Sequence, residues 1–340
     1  MTERIDIAVV GATGAVGETM LNILAERKFP VGEIHALASE RSVGKEVQFG
    51  SRRLKVSNLA EFDFSRVKIG LFSAGGSVSG QFAPKAAAAG CIVIDNTSKF
   101  RMETDVPLVV PEVNREKIAD YKATGIIANP NCSTIQMVVA LKPIYDAVGI
   151  KRINVATYQA VSGAGRSALE ELARQSARML NGLPLELKGD AKQIAFNAVP
   201  HIDVFEDNGY TREEMKMVLE TQKILGDDSI AVNPTAVRIP VFYGHSEAVH
   251  IETEKKISAA EVCDLMREAK GVELIDGTKS GQYPTAVTDA SGKDAVFVGR
   301  VREDISHPRG ISLWIVSDNI RKGAALNSVQ IAEILAKNHL

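Results

Sequence analysis

The sequence predicts an α/β protein that begins with a doubly wound parallel sheet and continues into a second, α+β domain. Three observations support this prediction. Strand-like and helix-like segments alternate through the first part of the chain, a glycine turn joins the first strand to the first helix, and the core residues are mostly aliphatic, because apolar residues make up 45% of the chain but aromatic residues only 5%. The alternation and the aliphatic core are typical of parallel sheets covered by helices.

The alternating elements lie in the first part of the chain. Residues 4–10 read as a buried strand, residues 11–17 as a glycine turn, and residues 15–27 have the apolar spacing of a helix. The elements predicted after them are strands at 33–38, 67–73 and 91–95 and an alanine-rich helix at 79–89. This order predicts a parallel sheet of the Rossmann type.

The pattern changes after residues 126–131. The elements predicted beyond them are a helix at 133–148, long strands at 151–161, 235–243 and 247–256, and a hairpin pair at 296–302 and 311–317. They predict a second sheet that is mostly antiparallel or mixed. A last helix at 322–338 has one apolar face, so we expect it to pack back on the first domain.

The length of the chain also indicates two domains. A single core stops growing at roughly 250 to 300 residues, and this chain has 340. We place the first domain at residues 1–129 plus 320–340 and the second at residues 130–319, so that the second is inserted into the first.

Charge and cysteine content exclude several classes of protein. The formal net charge is -2, which gives no field that would attract nucleic acid or an anionic membrane. Three cysteines are too few for a disulfide framework, and neither a secretory signal pattern nor an apolar run of membrane-spanning length is present. We therefore expect a cytoplasmic protein that binds small molecules.

The glycine turn predicts a dinucleotide site. Gly11, Gly14 and Gly17 form G-x-x-G-x-x-G between a strand and a helix, where a pyrophosphate can approach the backbone and the helix N-terminus. The spacing departs from the common G-x-G-x-x-G, and tight βα turns need glycines in any case. The position of the turn, rather than the glycines alone, supports the cofactor.

The segment after the second predicted strand bears on which cofactor binds. Glu40 could accept a hydrogen bond from the ribose 2′-hydroxyl of NAD. Arg41, flanked by Ser39 and Ser42, could instead bind the 2′-phosphate of NADP. We favour NADP, and the alternative is a solvated loop with no specific role.

Cys132 is the candidate nucleophile. It stands in Asn-Pro-Asn-Cys-Ser-Thr at the predicted start of a helix, where backbone amides and the helix dipole favour a thiolate and could stabilise an oxyanion. The alternative is a buried, inert cysteine. Cys91, within a strand, and Cys263, on the apolar face of a helix, are predicted to be inert in that way.

A thiolate nucleophile needs an acid–base partner, for which His245 is the candidate. His245 lies at a turn between two predicted strands, whereas His250 is five residues further along the second strand and should face the other side. Arg238 stands in an apolar strand and needs a carboxylate or phosphate partner. That partner could equally be a substrate or a structural ion pair.

Four motifs together resemble the aspartate-semialdehyde dehydrogenase family over nearly the whole chain. They are GATGAVG from Gly11, NPNCST around Cys132, YQAVSGAG at 158–165 and RIPVFYGHSEAVH at 238–250. The resemblance implies a homodimer, or a tetramer built of dimers, in which the second domain carries catalysis and dimerisation. It also implies NADPH-dependent reduction of aspartyl phosphate to aspartate semialdehyde and phosphate, in the biosynthesis of lysine, threonine, methionine and diaminopimelate.

The resemblance also implies a role for each site residue. Cys132 would form an acyl-thioester, with His245 as the acid–base group and Gln159 positioning the substrate. The other substrate-binding residues that it implies are Arg238 for the α-carboxylate, Glu213 for the amino group, Arg101 and Lys216 for phosphate, and Asn131. The cofactor-binding residues that it implies are Gly11, Thr13, Gly14, Ala15 and Val16 at the pyrophosphate, Arg41 and Ser42 at the 2′-phosphate, Ser162 and Gly163 at the nicotinamide, and Asn319 at the carboxamide.

Other functions remain as alternatives at this stage. An N-acetyl-glutamyl-phosphate reductase would share the glycine turn and the nucleophilic cysteine, but not the NCST context or the arginine seven residues before the histidine. A glyceraldehyde-phosphate dehydrogenase would carry Ser-Cys-Thr-Thr-Asn instead. A non-catalytic NADP-binding redox sensor would have no need of Arg101, Arg238 and His245 together. No cluster of residues at metal-ligand spacing is present, so we expect no metal.

Overall fold

The computed structural model describes residues 4–187, 189 and 191–340. The strands are β1 (Ile5–Val10), β2 (Val31–Ala38), β3 (Glu46–Phe49), β4 (Arg52–Lys55), β5 (Ser57–Asn58), β6 (Ile69–Phe72), β7 (Ile92–Asp95), β8 (Ile126–Ala128), β9 (Ile150–Gln159), β10 (Ala231–Arg238), β11 (His245–Thr253), β12 (Val272–Leu274), β13 (Val296–Glu303) and β14 (Gly310–Ser317). The α-helices are α1 (Ala15–Glu26), α2 (Gly76–Ala88), α3 (Pro111–Asn114), α4 (Cys132–Val148), α5 (Arg166–Leu180), α6 (Arg212–Leu225), α7 (Ala259–Glu268) and α8 (Leu326–Asn338).

The chain divides into two compact units. The first consists of Met1–Asn131 with Gly323–Leu340, and the second of Cys132–Lys322. Among the described residues, no helix is both long and apolar enough to cross a membrane.

The first unit contains a parallel sheet in the order β5-β2-β1-β6-β7-β8. The chain moves from β1 outward to β2 on one side and then to β6 on the other, and β1 is parallel to both. A sheet that reverses its winding direction in this way leaves a crevice at the carboxyl ends of its central strands. The predicted doubly wound parallel sheet is therefore confirmed, and the glycine turn directly follows its central strand β1.

Helix α8 belongs to the first unit. Its apolar residues Leu326, Val329 and Leu335 are fully or almost fully buried in one core with residues of β1 and α1. At the surface, a two-pronged ion pair joins Arg27 to Glu333, with Arg27 Nε 2.7 Å from Glu333 Oε1. The apolar face of α8, which the sequence predicts, is thus buried against the parallel sheet and α1.

The second unit contains a mixed sheet in the order β10-β9-β11-β14-β13-β12. The pairs β9–β10 and β12–β13 are parallel and the others antiparallel, so the predicted mixed sheet is confirmed. On β11, His245, Glu247 and Val249 are buried on one face, whereas His250 is exposed on the other, as the strand period requires.

One predicted strand has the wrong bounds. We predicted a strand at 235–243, but β10 ends at Arg238 and begins earlier, at Ala231. Pro240 has no N–H to continue the ladder, and the chain turns after it through Gly244, which has a φ of 88°. Pro234 lies within β10 and is tolerated because β10 is an edge strand.

Candidate active site

His245 is the first residue of β11 and is completely buried. The backbone N–H of Ala160 donates to His245 Nδ1 at 3.0 Å, and Gln159 Nε2 lies 3.4 Å from His245 Nε2. Gln159 is the last residue of β9, which pairs with β11. The imidazole is therefore held in one orientation by the end of the neighbouring strand.

The electrostatic surroundings keep His245 neutral. Burial, together with the positive charge of Arg238, lowers the pKa of His245 to about 3, although Glu213 and a backbone hydrogen bond at Gly244 oppose this. Burial of an imidazole favours its uncharged form. At neutral pH His245 is therefore uncharged, and because Nδ1 accepts from Ala160 its ring proton lies on Nε2.

Arg238 ends β10, directly opposite Gln159 in the parallel register of β9 and β10. Its Nη1 donates to the carbonyl oxygen of Ala160 at 2.7 Å. Burial lowers the pKa of Arg238, and the negative charges of Cys132 and Glu213 oppose that shift. The backbone of Ala160 thus contacts both Arg238 and His245, one through its carbonyl and the other through its N–H.

Cys132 begins helix α4, as the sequence predicts, and is partly accessible. A thiol at a helix N-terminus is close to unsatisfied backbone amides that favour the thiolate. The other cysteines are in less reactive surroundings, because burial raises the pKa of Cys91 to about 12, and burial with a hydrogen bond to Asp276 raises that of Cys263 to about 11. Cys132 remains the candidate nucleophile.

Consecutive hydrogen bonds connect Gln159 to Lys216 through Glu213. Gln159 Nε2 donates to Glu213 Oε1 at 3.1 Å, and Lys216 Nζ donates to Glu213 Oε2 at 3.0 Å. Thr157 Oγ1 donates to Gln159 Oε1 at 3.0 Å, which orients the amide. Glu213 and Lys216, which the sequence places on one face of a helix, are thus connected by hydrogen bonds to Gln159 at the end of β9.

The structure distinguishes Glu213 from its neighbour Glu214. Glu214 accepts from the backbone N–H of Thr211 at 2.7 Å, in a capping box that starts α6, and from the N–H of Ala236 at 2.8 Å. Both of its oxygens therefore serve the helix start and the adjacent strand. The pattern Thr-x-x-Glu at Thr211 is a sequence signal for this role.

Asp203 contacts the predicted site residue Lys216, and nothing in the sequence indicated it. Its Oδ2 accepts from Lys216 Nζ at 2.9 Å, and its Oδ1 accepts from the N–H of Val204 at 2.9 Å. It lies outside any helix or strand, and its φ of 67° is unusual for a residue other than glycine. The sequence contains no motif around it that would have indicated a contact with Lys216.

Ser162 and Asn319 form a hydrogen-bonded pair in the second unit. Asn319 Nδ2 and Ser162 Oγ are 2.9 Å apart, and Asn319 Oδ1 also accepts from the N–H of Gly244 at 2.9 Å. Next to Ser162, a Cβ on Gly163 would lie 3.2 Å from Arg238 Nη1 and 3.5 Å from His245 Nε2. Gly163 therefore gives the backbone a close approach to both side chains.

The glycine turn of the first unit is tightly packed. Gly11 has a φ of 87°, which favours glycine, and a Cβ on Gly17 would lie only 2.2 Å from the Gly11 oxygen. Gly14 is the N-cap of α1 and contributes no side-chain cap, while Thr13, Ala15 and Val16 are partly buried around it. The first amides of α1 therefore remain available to an anion, and the turn fits a pyrophosphate.

Four further predicted residues belong to the first unit. Arg41 and Ser42 lie in a 3₁₀ turn after β2, with Arg41 exposed. Arg101 is buried, with Nε 2.9 Å from the Asn129 carbonyl oxygen and Nη2 2.9 Å from that of Asn96. Asn131, also buried, is the last residue of the unit before Cys132.

Among all described residues, no group of three or more His, Cys, Asp or Glu could hold a metal ion.

Comparison with known proteins places this fold and site in a class. The family described as semialdehyde dehydrogenase, NAD binding domain, matches residues 6–121, and the family described as semialdehyde dehydrogenase, dimerisation domain, matches residues 141–322. The protein is thus an oxidoreductase of the semialdehyde dehydrogenase class.

Individual relatives narrow that class. The aspartate-semialdehyde dehydrogenase of Legionella pneumophila is 63% identical over 340 residues, covering 100% of this chain and 98% of the relative. The solved structure of aspartate semialdehyde dehydrogenase II from Vibrio cholerae, complexed with ASA, is 61% identical with a TM-score of 0.97, covering 99% of this chain and 100% of that one. That of the Candida albicans enzyme with NADP is 26% identical with a TM-score of 0.79, covering 99% and 100%. The chain belongs to the aspartate-semialdehyde dehydrogenase family.

Proposed function

We propose that this protein reduces L-aspartyl 4-phosphate to L-aspartate 4-semialdehyde and phosphate with NADPH, reversibly, in the biosynthesis of lysine, threonine, methionine and diaminopimelate. The observation that supports it most is the arrangement around Ala160. Its carbonyl and N–H contact Arg238 and His245, and the neighbouring Gln159 contacts Glu213. A cation, an acid–base group and a carboxylate are thus fixed around one strand end.

The proposed reaction begins at Cys132. Its thiolate attacks the acyl carbon, the carbon–oxygen bond to phosphate breaks, and an acyl-thioester forms. Arg101 and Lys216 neutralise the leaving phosphate, while the Arg238 guanidinium binds the α-carboxylate and Glu213 binds the ammonium group. Gln159 positions the substrate, and Asn131 contacts it next to the nucleophile.

His245 acts as the acid–base group in this proposal. Burial and Arg238 lower its pKa to about 3, so the ring is uncharged at physiological pH; with Nδ1 accepting from Ala160, Nε2–H would donate a hydrogen bond to the substrate carbonyl oxygen, while the helix N-terminus favours the Cys132 thiolate. After hydride addition to the thioester, the imidazole exchanges a proton with the oxygen of the thiohemiacetal, and breaking of the carbon–sulfur bond releases the aldehyde and the Cys132 thiolate. The contact with Ala160 holds the ring in place through both steps.

The bound cofactor supplies the hydride that reduces the thioester. Gly11, Thr13, Gly14, Ala15 and Val16 would hold the pyrophosphate at the start of α1. Arg41 with Ser42 would bind the ribose 2′-phosphate, which makes NADP rather than NAD the proposed cofactor. Ser162 and Gly163 would face the nicotinamide, and Asn319 would contact its carboxamide.

The proposed function also implies a domain organisation, an oligomeric state and a location for the protein. We infer an NADP-binding domain at residues 1–129 plus 320–340 and a catalytic and dimerisation domain at 130–319. The match to a dimerisation domain over residues 141–322 supports a homodimer, and a tetramer would be built from such dimers. The enzyme is proposed to work in the cytoplasm, on small molecules, without nucleic acid or membrane partners.

A single assay tests the proposed activity. Protein is mixed with NADP, inorganic phosphate and aspartate semialdehyde, and the absorbance of NADPH is followed. We expect NADPH formation that depends on phosphate and on the semialdehyde. If NADPH does not form, or forms at the same rate when phosphate is omitted, the proposed function is wrong.

A further inference from the structure

Asp203 binds Lys216 so closely that it should affect the charge of the active site. Both of its carboxylate oxygens are engaged, one by the Val204 N–H and one by Lys216 Nζ, each at 2.9 Å. Its φ of 67° is left-handed, a conformation that aspartate and asparagine adopt more readily than other residues with a Cβ. The bend directs one carboxylate oxygen to the Val204 N–H and the other to Lys216, so the carboxylate is fixed beside the lysine.

The three charged side chains Asp203, Glu213 and Lys216 form one cluster. Lys216 Nζ lies 2.9 Å from Asp203 and 3.0 Å from Glu213, and its side chain is only 19% exposed. Burial lowers the pKa of Lys216, but the two carboxylates outweigh it and raise that pKa above its ordinary value. Burial likewise raises the pKa of Asp203, yet the hydrogen bonds from Lys216 and Val204 leave it lower than usual. Both partners are therefore ionised.

We propose that Asp203 is a positioning residue that sets the charge of this cluster: it neutralises Lys216, so that Glu213 keeps its negative charge toward the ammonium group of the substrate. One ammonium and two carboxylates give the cluster a net negative charge, which suits a cationic group. Without Asp203, Lys216 and Glu213 would neutralise each other. This inference rests on the proposed function, because the substrate is taken to carry both an ammonium group and a phosphate.

The proposal predicts opposite changes in two Michaelis constants. Without the negative charge of Asp203, Lys216 attracts phosphate more strongly. Lys216 then also neutralises more of the charge of Glu213, so that Glu213 attracts the ammonium group more weakly. In the direction that consumes phosphate, KM for phosphate should fall and KM for the semialdehyde should rise, each by about threefold to fivefold, as expected for a partly exposed ion pair. A merely structural residue would not shift the two constants in opposite directions.

The test uses Asp203→Asn, because asparagine tolerates the left-handed conformation and keeps an oxygen for the Val204 N–H. Asp203→Gly, which removes the backbone strain as well as the charge, is the second variant and should give the same pair of shifts. Asp207→Asn, which changes an exposed aspartate in the same segment, is the matched control and should leave both constants unchanged. The wild-type protein must first show phosphate-dependent NADPH formation, so that failure of the proposed function is recognised separately.

A measurement without turnover complements the kinetics. The rate at which iodoacetamide alkylates Cys132 is measured with increasing inorganic phosphate, in the wild type and in both Asp203 variants. Phosphate should protect the variants at a lower concentration than the wild type. The proposal is overturned if the active variants show unchanged constants, if both constants rise together, or if protection requires as much phosphate as before.

Discussion

The Arg238 guanidinium donates a hydrogen bond from Nη1 to the backbone carbonyl of Ala160, 2.7 Å away. This contact fixes one edge of the planar group at the end of β9, and the register of the parallel strands β9 and β10 brings the two residues together. A guanidinium oriented by one of its donors still has others with which to bind a carboxylate.

Arg238→Lys should therefore weaken substrate binding although the charge is kept. An ammonium group cannot reproduce the planar fork, so we expect KM for aspartate semialdehyde to rise by about tenfold or more. Steady-state kinetics with varied semialdehyde measure this. Arg152→Lys, at an exposed position of β9, is the matched control, and an unchanged KM in Arg238→Lys would contradict the assigned role.

Cys132→Ser should abolish turnover and leave cofactor binding intact. A serine hydroxyl is far less acidic than a thiol, and the helix N-terminus cannot ionise it at neutral pH, so we expect a loss on the order of a thousandfold or more. Turnover and fluorescence titration with NADPH measure the two properties. Cys263→Ser serves as the control, and substantial activity in Cys132→Ser would mean that another group is the nucleophile.

Arg41→Ala should reduce the use of NADP and spare that of NAD. A charge-assisted contact with the 2′-phosphate contributes about 1.5–3 kcal/mol, so kcat/KM with NADP should fall by about tenfold or more. The ratio of the two kcat/KM values measures the effect. Arg115→Ala, exposed in the same unit, is the control, and an equal loss with both cofactors would argue against a 2′-phosphate site.

Glu247→Gln should change how stability depends on pH. Glu247 is completely buried, and burial raises its pKa well above the ordinary value of 4.5, although the nearby Gln136 side chain opposes the shift. Above about pH 4.5 the folded protein thus retains a proton that the unfolded chain releases, so stability falls as pH rises, by at most about 1.4 kcal/mol per pH unit. Glutamine stays neutral and removes this loss.

Thermal unfolding at several pH values measures this difference. The melting temperature of Glu247→Gln relative to the wild type should increase between about pH 5 and pH 8. Glu303→Gln, which changes an exposed glutamate on β13, should show no such trend. A constant difference for Glu247→Gln across this range would show that the carboxyl has no raised pKa in the folded state.

The sequence predicts the fold well where the local pattern and the tertiary packing agree. The glycine turn after β1 and the start of α4 at Cys132 are both local features, and both were predicted from local residues. The predicted strand at 235–243 extended too far because apolar residues continue past Arg238, while the turn at Pro240 and Gly244 ends the pairing. Periodicity alone does not record that turn.

The candidate site is predicted less completely, because its contacts join distant segments. Ala160 meets His245 across 85 positions, and nothing local marks its backbone as the common contact of two side chains. Asp203 was missed because its contact with Lys216 depends on a left-handed bend outside any regular element. The capping box at Thr211, in contrast, is a local signal that separates Glu214 from Glu213.

The division of the first unit between Met1–Asn131 and Gly323–Leu340 has a consequence for biosynthesis. Helix α8 buries Leu326, Val329 and Leu335 in the core of that unit, so the unit cannot be completed until α8 has been translated. The second unit, Cys132–Lys322, is continuous and is translated in full before α8. The segment translated first therefore depends, for its complete core, on a helix that is translated after the whole of the second unit.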